Sequence, residues 1–131
     1  MSGSGYFDFY LLHALSKDSF EKSVGVGVYQ RLNQLKEQGK IRRLGFSFHD
    51  SPAVLEQIVA AHSWDFAQIQ LNYLDWEMQD AKTQYEILTE NGIQVIVMEP
   101  VRGGALASLC PESDAIFKQA EPERSVASWA V

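Results

Sequence analysis

The feature that most constrains this chain is a change of hydrophobic period that recurs along its length. Short apolar runs, each strand-like, alternate with stretches whose apolar residues return every three or four positions. Tyr6 to His13 is aromatic and apolar with little polar relief, which predicts a strand buried on both faces. A polar loop follows from Ser16 to Lys22, and then Val28, Leu32 and Leu35 mark an amphipathic helix that Gly39 closes as a left-handed cap. Ile41 to Phe48 is the second strand. Ser51-Pro52 supplies an N-cap and a first-turn proline for a helix buried through Val54, Leu55, Ile58 and Val59. Phe66 to Leu71 is the third strand, followed by a helix face at Ala81, Tyr85 and Leu88 that ends at Asn91-Gly92. Ile93 to Met98 is the fourth strand. Beyond it the sequence predicts a Gly-rich turn, an irregular segment from Pro111 to Glu121, and a helix from about Pro122.

The strands start near residues 6, 41, 66 and 93, at intervals of 35, 25 and 27 residues. Four successive βα units with short loops imply parallel strands joined by right-handed crossovers. Such units build either an open doubly wound sheet or a (β/α)₈ barrel, in which eight units take ~250 residues, roughly 31 each. No Gly-rich phosphate turn of the dinucleotide-binding type follows the first strand, and Gly25 and Gly27 form only a lone GxG that loosens a helix start. The spacing fits half a barrel: an α/β fold of four parallel strands alternating with helices. The open sheet survives as an alternative on pattern alone.

Composition removes several function classes. With 11 basic and 17 acidic residues the formal charge is −6, which opposes phosphate-rich nucleic acid in the absence of a basic patch. Three Trp, five Tyr and seven Phe are too many for a solvated disordered chain. No run approaches the roughly 18–20 apolar residues of a membrane span. Met1 to Gly5 reads as a leader or expression scar, leaving 6–131 as the barrel fragment, and with no secretory signal the expected compartment is the cytoplasm. The single cysteine, Cys110, cannot form an internal disulfide or a thiolate metal site and reads as a free thiol.

In both architectures chemistry gathers at the C-terminal ends of the strands. Those ends carry His13, then Ser47 with His49 and Asp50, then Gln68, Gln70 and Asn72, then Glu99 with Arg102. No lysine closes a strand, which argues against Schiff-base chemistry. Two reaction classes remain open on residue types alone. His13, His49 and Glu99 suit a divalent metal that activates water, as in a metal-dependent hydrolase. Alternatively the amides and the hydroxyl hold a planar polar ligand while a histidine polarises a carbonyl.

Four segments then resemble the aldo-keto reductases. Asp8-Phe9-Tyr10-Leu11-Leu12-His13 resembles that family's fourth strand, which ends in the active-site histidine. Gly39 to Ser47 resembles the fifth strand, where a GKIRxIG run leads into a Ser-Asn pair. Ala67-Gln68-Ile69-Gln70-Leu71-Asn72-Tyr73 resembles the sixth strand, with its nicotinamide-contacting glutamine. Ile96 to Gly104 resembles the seventh strand and the loop over the cofactor pyrophosphate, in wording closest to the branch with iron–sulfur-type members. The resemblance implies an NAD(P)H-dependent carbonyl reductase acting on a small carbonyl substrate. It assigns catalysis to His13 and the carboxamide of NADP or NAD to Ser47 and Gln68. It places Met98, Glu99, Pro100, Val101, Arg102 and Gly103 around the cofactor, with no metal.

There are departures. Phe48 stands where the family has an asparagine and cannot hydrogen-bond an amide, and Met98 stands where an aromatic side chain often stacks on the nicotinamide. The resemblance starts at strand four and stops before strand eight, so the Asp, Tyr and Lys of the family's tetrad have no counterpart here. The expectation is a fragment that is inactive alone and binds no cofactor well. An engineered or excised half-barrel scaffold is the non-enzyme alternative. Exposed strand edges and the inner barrel face, roughly 1,000 Å² or more at ~25 cal/mol/Å², predict self-association as a homodimer.

Overall fold

The computed structural model describes residues 5–131, so the proposed leader lies outside the described residues except for Gly5. Strands β1 (Phe7–Leu15), β2 (Ile41–Phe48), β3 (Phe66–Gln70) and β4 (Gln94–Met98) form one sheet, all neighbours parallel, in the order β1-β2-β3-β4. An open doubly wound sheet reverses its strand order at a switch point. Here the order advances in one direction, as in the wall of a (β/α)₈ barrel.

Helices α1 (Lys17–Gly25), α2 (Val28–Glu37), α3 (Pro52–Ala61), α4 (Asp75–Met78), α5 (Ala81–Glu90), α6 (Pro111–Ala120) and α7 (Val126–Ala130) fill the connections. The expected polar loop at Ser16–Lys22 is instead helical. Ser16 and Ser19 form a reciprocal capping box, each hydroxyl accepting the other's backbone N–H, and a serine in the place usually held by Glu or Gln hides that signal. The segment from Pro111, expected to be irregular, is α6: Pro111 opens it, Glu112 and Asp114 sit in its first turn, and Lys118 pairs with Asp114. The final helix begins at Val126 rather than Pro122, its first turn held by the Ser125 hydroxyl accepting the Ser128 N–H. Gly27 separates α1 from α2 in the left-handed region, φ 71°, which glycine adopts without strain.

Side chains alternate across the sheet. One face packs on the helices: Leu44, Phe46 and Phe48 of β2 and Ala67 and Ile69 of β3 join Leu32, Leu55, Ile58, Trp64 and Leu88 in the core. Phe48 therefore belongs to the core. The other face of β2 carries Arg43, Gly45 and Ser47. A Cβ on Gly45 would overlap the Phe66 carbonyl and come within 2.7 Å of the Phe66 ring, so glycine is what lets β3 lie this close. Phe9 meets Phe66 edge-on at 5.3 Å.

The outer strands differ from the central pair. The first strand is not buried on both faces: Phe7 is 51% exposed and Phe9 61%. Its only strand neighbour among the described residues is β2. On β4, Val97 is exposed in the same way. The apolar content of β1 predicts burial on both faces, but at the margin of a four-stranded sheet its side chains are largely exposed.

Candidate active site

His13 sits near the end of β1, where the pairing with β2 slips. Leu12 pairs with Phe46 and Leu15 with Phe48, so His13 and Ala14 together stand opposite Ser47. This is a β-bulge, and Ala14 takes the left-handed conformation at φ 51° to make it. The Ser47 hydroxyl fills the bulge. Its oxygen accepts the Ala14 N–H at 2.7 Å and lies 3.3 Å from His13 Nδ1. The Ala14 carbonyl in turn accepts from the Ser19 hydroxyl at 3.2 Å. Ser47 is buried while the His13 side chain is exposed, so the hydroxyl that the resemblance assigns to a carboxamide is held by the chain's own groups.

On β3, Gln68 pairs in register with Ser47, which brings the two side chains to the same face, and Gln68 is half-buried. Its neighbour on the other side is Ile96, while Met98 pairs with Gln70. His49 lies beyond β2, lining a cleft of about 320 Å³ with Asp50, Gln70, Gln79 and Gln84. Asp50 has a structural task. Its carboxylate accepts the N–H of Lys17 at 2.9 Å and of Ser51 at 2.7 Å, tying the start of α1 to the start of α3. Those two backbone donors lower its pKa from the ordinary carboxylate value.

The sequence reading missed Asp75. This carboxylate is completely buried at the start of α4. One oxygen accepts from Asn72 Nδ2 at 2.6 Å and Gln70 Nε2 at 2.8 Å; Arg102 Nε stands 3.6 Å from the other. Asn72 also donates to the Glu99 carbonyl at 3.1 Å, and its Oδ1 accepts the N–H groups of Leu74 and Asp75. One buried carboxyl group thus joins the ends of β3 and β4. The asparagine three residues before an aspartate is the signal that predicts such a turn.

After β4 the backbone turns sharply. Glu99 and Arg102 have φ of 55° and 50°, Gly103 and Gly104 of 61° and 96°. The Gly103 N–H donates to Glu99 Oε2 at 2.5 Å, so this turn already binds one anionic oxygen, its own. Pro100 and Val101 complete the turn, half-buried. Glu99 is thereby engaged away from His13 and His49, and no three His, Cys, Asp or Glu side chains gather as a metal site among the described residues. No helix among the described residues is long and apolar enough to cross a membrane.

Several solved structures with this arrangement are described as aldo-keto reductases. Among solved structures, an aldo/keto reductase from Brucella melitensis superposes with a TM-score of 0.64 at 23% identity, covering 98% of this chain and 45% of that one. The thermostable aldo-keto reductase Tm1743, in complex with the inhibitor epalrestat, gives 0.68 at 18% identity, with 94% and 43% covered. An aldo-keto reductase from Klebsiella pneumoniae in complex with NADPH gives 0.60 at 18%, with 94% and 42% covered. At these identities the likeness establishes the fold, and the chain spans less than half the length of each. No curated protein matches the sequence. The sequence model of the aldo/keto reductase family, however, matches residues 3–129, nearly the whole chain, and with the ordered parallel strands and the polar groups at their ends it shows that the chain belongs to that family.

Proposed function

We propose that this chain supplies the histidine, the amide-binding and the anion-binding parts of an NAD(P)H-dependent carbonyl reductase, and that alone it does not turn over. The observation that carries this reading is the convergence at one sheet end of His13, Ser47 and Gln68, from adjacent strands in register. When bound, a nicotinamide cofactor supplies the hydride. The chain's own residues would bind and orient. His13 donates a hydrogen bond to the carbonyl oxygen of a small substrate, Gln68 takes the carboxamide, and the half-buried Met98 packs beside the ring. The turn after β4 takes a phosphate oxygen, for which the Glu99 carboxylate at Gly103 N–H stands in, and Arg102, whose Nε stands 3.6 Å from Asp75, would add charge to it. A general acid contributes typically 10²–10⁴-fold in rate, and this proposal places that acid outside the chain.

NADPH titrated to millimolar concentration is expected to move the Gly103 amide and the Gln68 side-chain amide in NMR spectra, with a Kd no tighter than ~1 mM, about −4 kcal/mol. Shifts confined elsewhere would overturn the assignment. Oxidation of NADPH with simple aldehydes or quinones is expected at background. A turnover that His13→Ala abolishes would show that the chain is catalytic by itself. We further propose that a second copy of the chain covers the open inner face and margins of the sheet.

A further inference from the structure

We infer that Ser47 is a positioning residue: it holds the bulge that aims His13 and fixes His13 as the tautomer with its proton on Nε2. The argument is an inventory of hydrogens. A serine hydroxyl has one hydrogen to donate and two lone pairs with which to accept. One lone pair of Ser47 Oγ takes the Ala14 N–H at 2.7 Å. The only other polar atom bonded to Oγ among the described residues is His13 Nδ1, at 3.3 Å. Ser47 is 2% exposed, which leaves little room for water to take up the remaining hydrogen. Were the imidazole proton on Nδ1, the serine hydrogen would be buried without an acceptor, an arrangement native structures avoid. With Nδ1 as acceptor the Ser47 hydroxyl, the Ala14 N–H and the Ala14 carbonyl all have partners. Nε2 then carries the proton, on an exposed side chain at the sheet end where ligands gather.

Ser47 also holds the backbone. Ala14 is a non-glycine residue in the left-handed region, a conformation that costs energy and persists where its surroundings over-determine it. Both of its peptide groups are taken by side chains, the N–H by Ser47 and the carbonyl by Ser19. Bulges re-aim side chains beside active sites, and here the re-aimed residue is His13. The use of Nε2–H toward a carbonyl rests on the carbonyl-reductase reading above; the tautomer and the bulge do not.

The test is two-bond ¹H–¹⁵N correlation of the histidine rings in the ¹⁵N-labelled chain at a pH where imidazoles are neutral, with His13→Gln to assign the signal. His13 is expected as the Nε2–H tautomer with Nδ1 as an accepting nitrogen. Ser47→Ala is expected to shift the tautomer ratio toward that of free imidazole by about fivefold, the worth of one hydrogen bond. Ser47→Thr, which keeps the hydroxyl, is expected to restore the wild-type pattern. A proton on His13 Nδ1 in the wild-type chain overturns the inference, whether or not the variants fold. A folded Ser47→Ala chain with unchanged His13 signals overturns it as well. If the His13 pattern holds while NADPH leaves Gln68 and Gly103 unmoved, the Ser47–His13 coupling stands and the reductase reading fails.

Discussion

The Asp75 carboxyl group has none of its surface exposed, and two side-chain amides, a turn and an arginine are arranged around it. Asp75→Ala is expected to lower the unfolding free energy by about 3 kcal/mol, because Gln70 and Asn72 lose their shared acceptor in a buried place. A urea midpoint that falls with unchanged slope would register it, and an unmoved midpoint would contradict the network's importance. His13, Ser47 and Gln68 were legible in the sequence because each sits in a short apolar run whose end is unmistakable. Asp75 was not, since Asn72 three residues before it marks a turn but not burial, and its other partners come from Gln70 of β3 and from Arg102 in the turn after β4. The task of Ser47 was equally hidden. It depends on an extra residue in β1 at Ala14, and sequence periodicity does not show a slip of register between two strands.

At the scale of elements, the periodic segments were read to within a few residues: β2 was expected at Ile41–Phe48 and found there. The helices the sequence does not reveal are α1 and α6, whose starting signals are serine on serine and a cysteine before proline, and the single turn α4. The packing of α1 and α2 turns on His62, just past α3. Its ring stacks on Tyr29 of α2 at 3.9 Å and meets Phe20 of α1 edge-on at 5.9 Å, while its Nε2 is buried without a partner. Burial pushes its pKa down from 6.5. A histidine with a depressed folded-state pKa is protonated first in the unfolded chain, so the stability of this junction is full above the unfolded pKa and is lost as pH falls below it. Urea midpoints at about pH 8 and about pH 5.5 are expected to differ in the wild type and to converge in His62→Phe, after the other groups' shared contribution is subtracted. An unaltered pH dependence in that variant would remove His62 from the account.

For the whole molecule, the repeating unit spacing pointed to a barrel wall before any geometry was known, and the unbroken strand order agrees with it. The spacing could not convey how exposed the margins are, because an apolar strand reads alike whether or not its neighbour is present. With Phe7, Phe9 and Val97 largely open, light scattering at micromolar concentration is expected to give twice 14.7 kDa, and a clean monomer would contradict the proposed second copy. The two margins are not alike, however. β1 and β4 are opposite sides of a parallel sheet, so one copy offers its tail to another copy's head, and each addition leaves the same pair of ends. Such contacts stop growing only when the rotation from copy to copy completes a circle; otherwise they extend without limit. The twist accumulated across four strands therefore decides between a closed ring of two and a fibre.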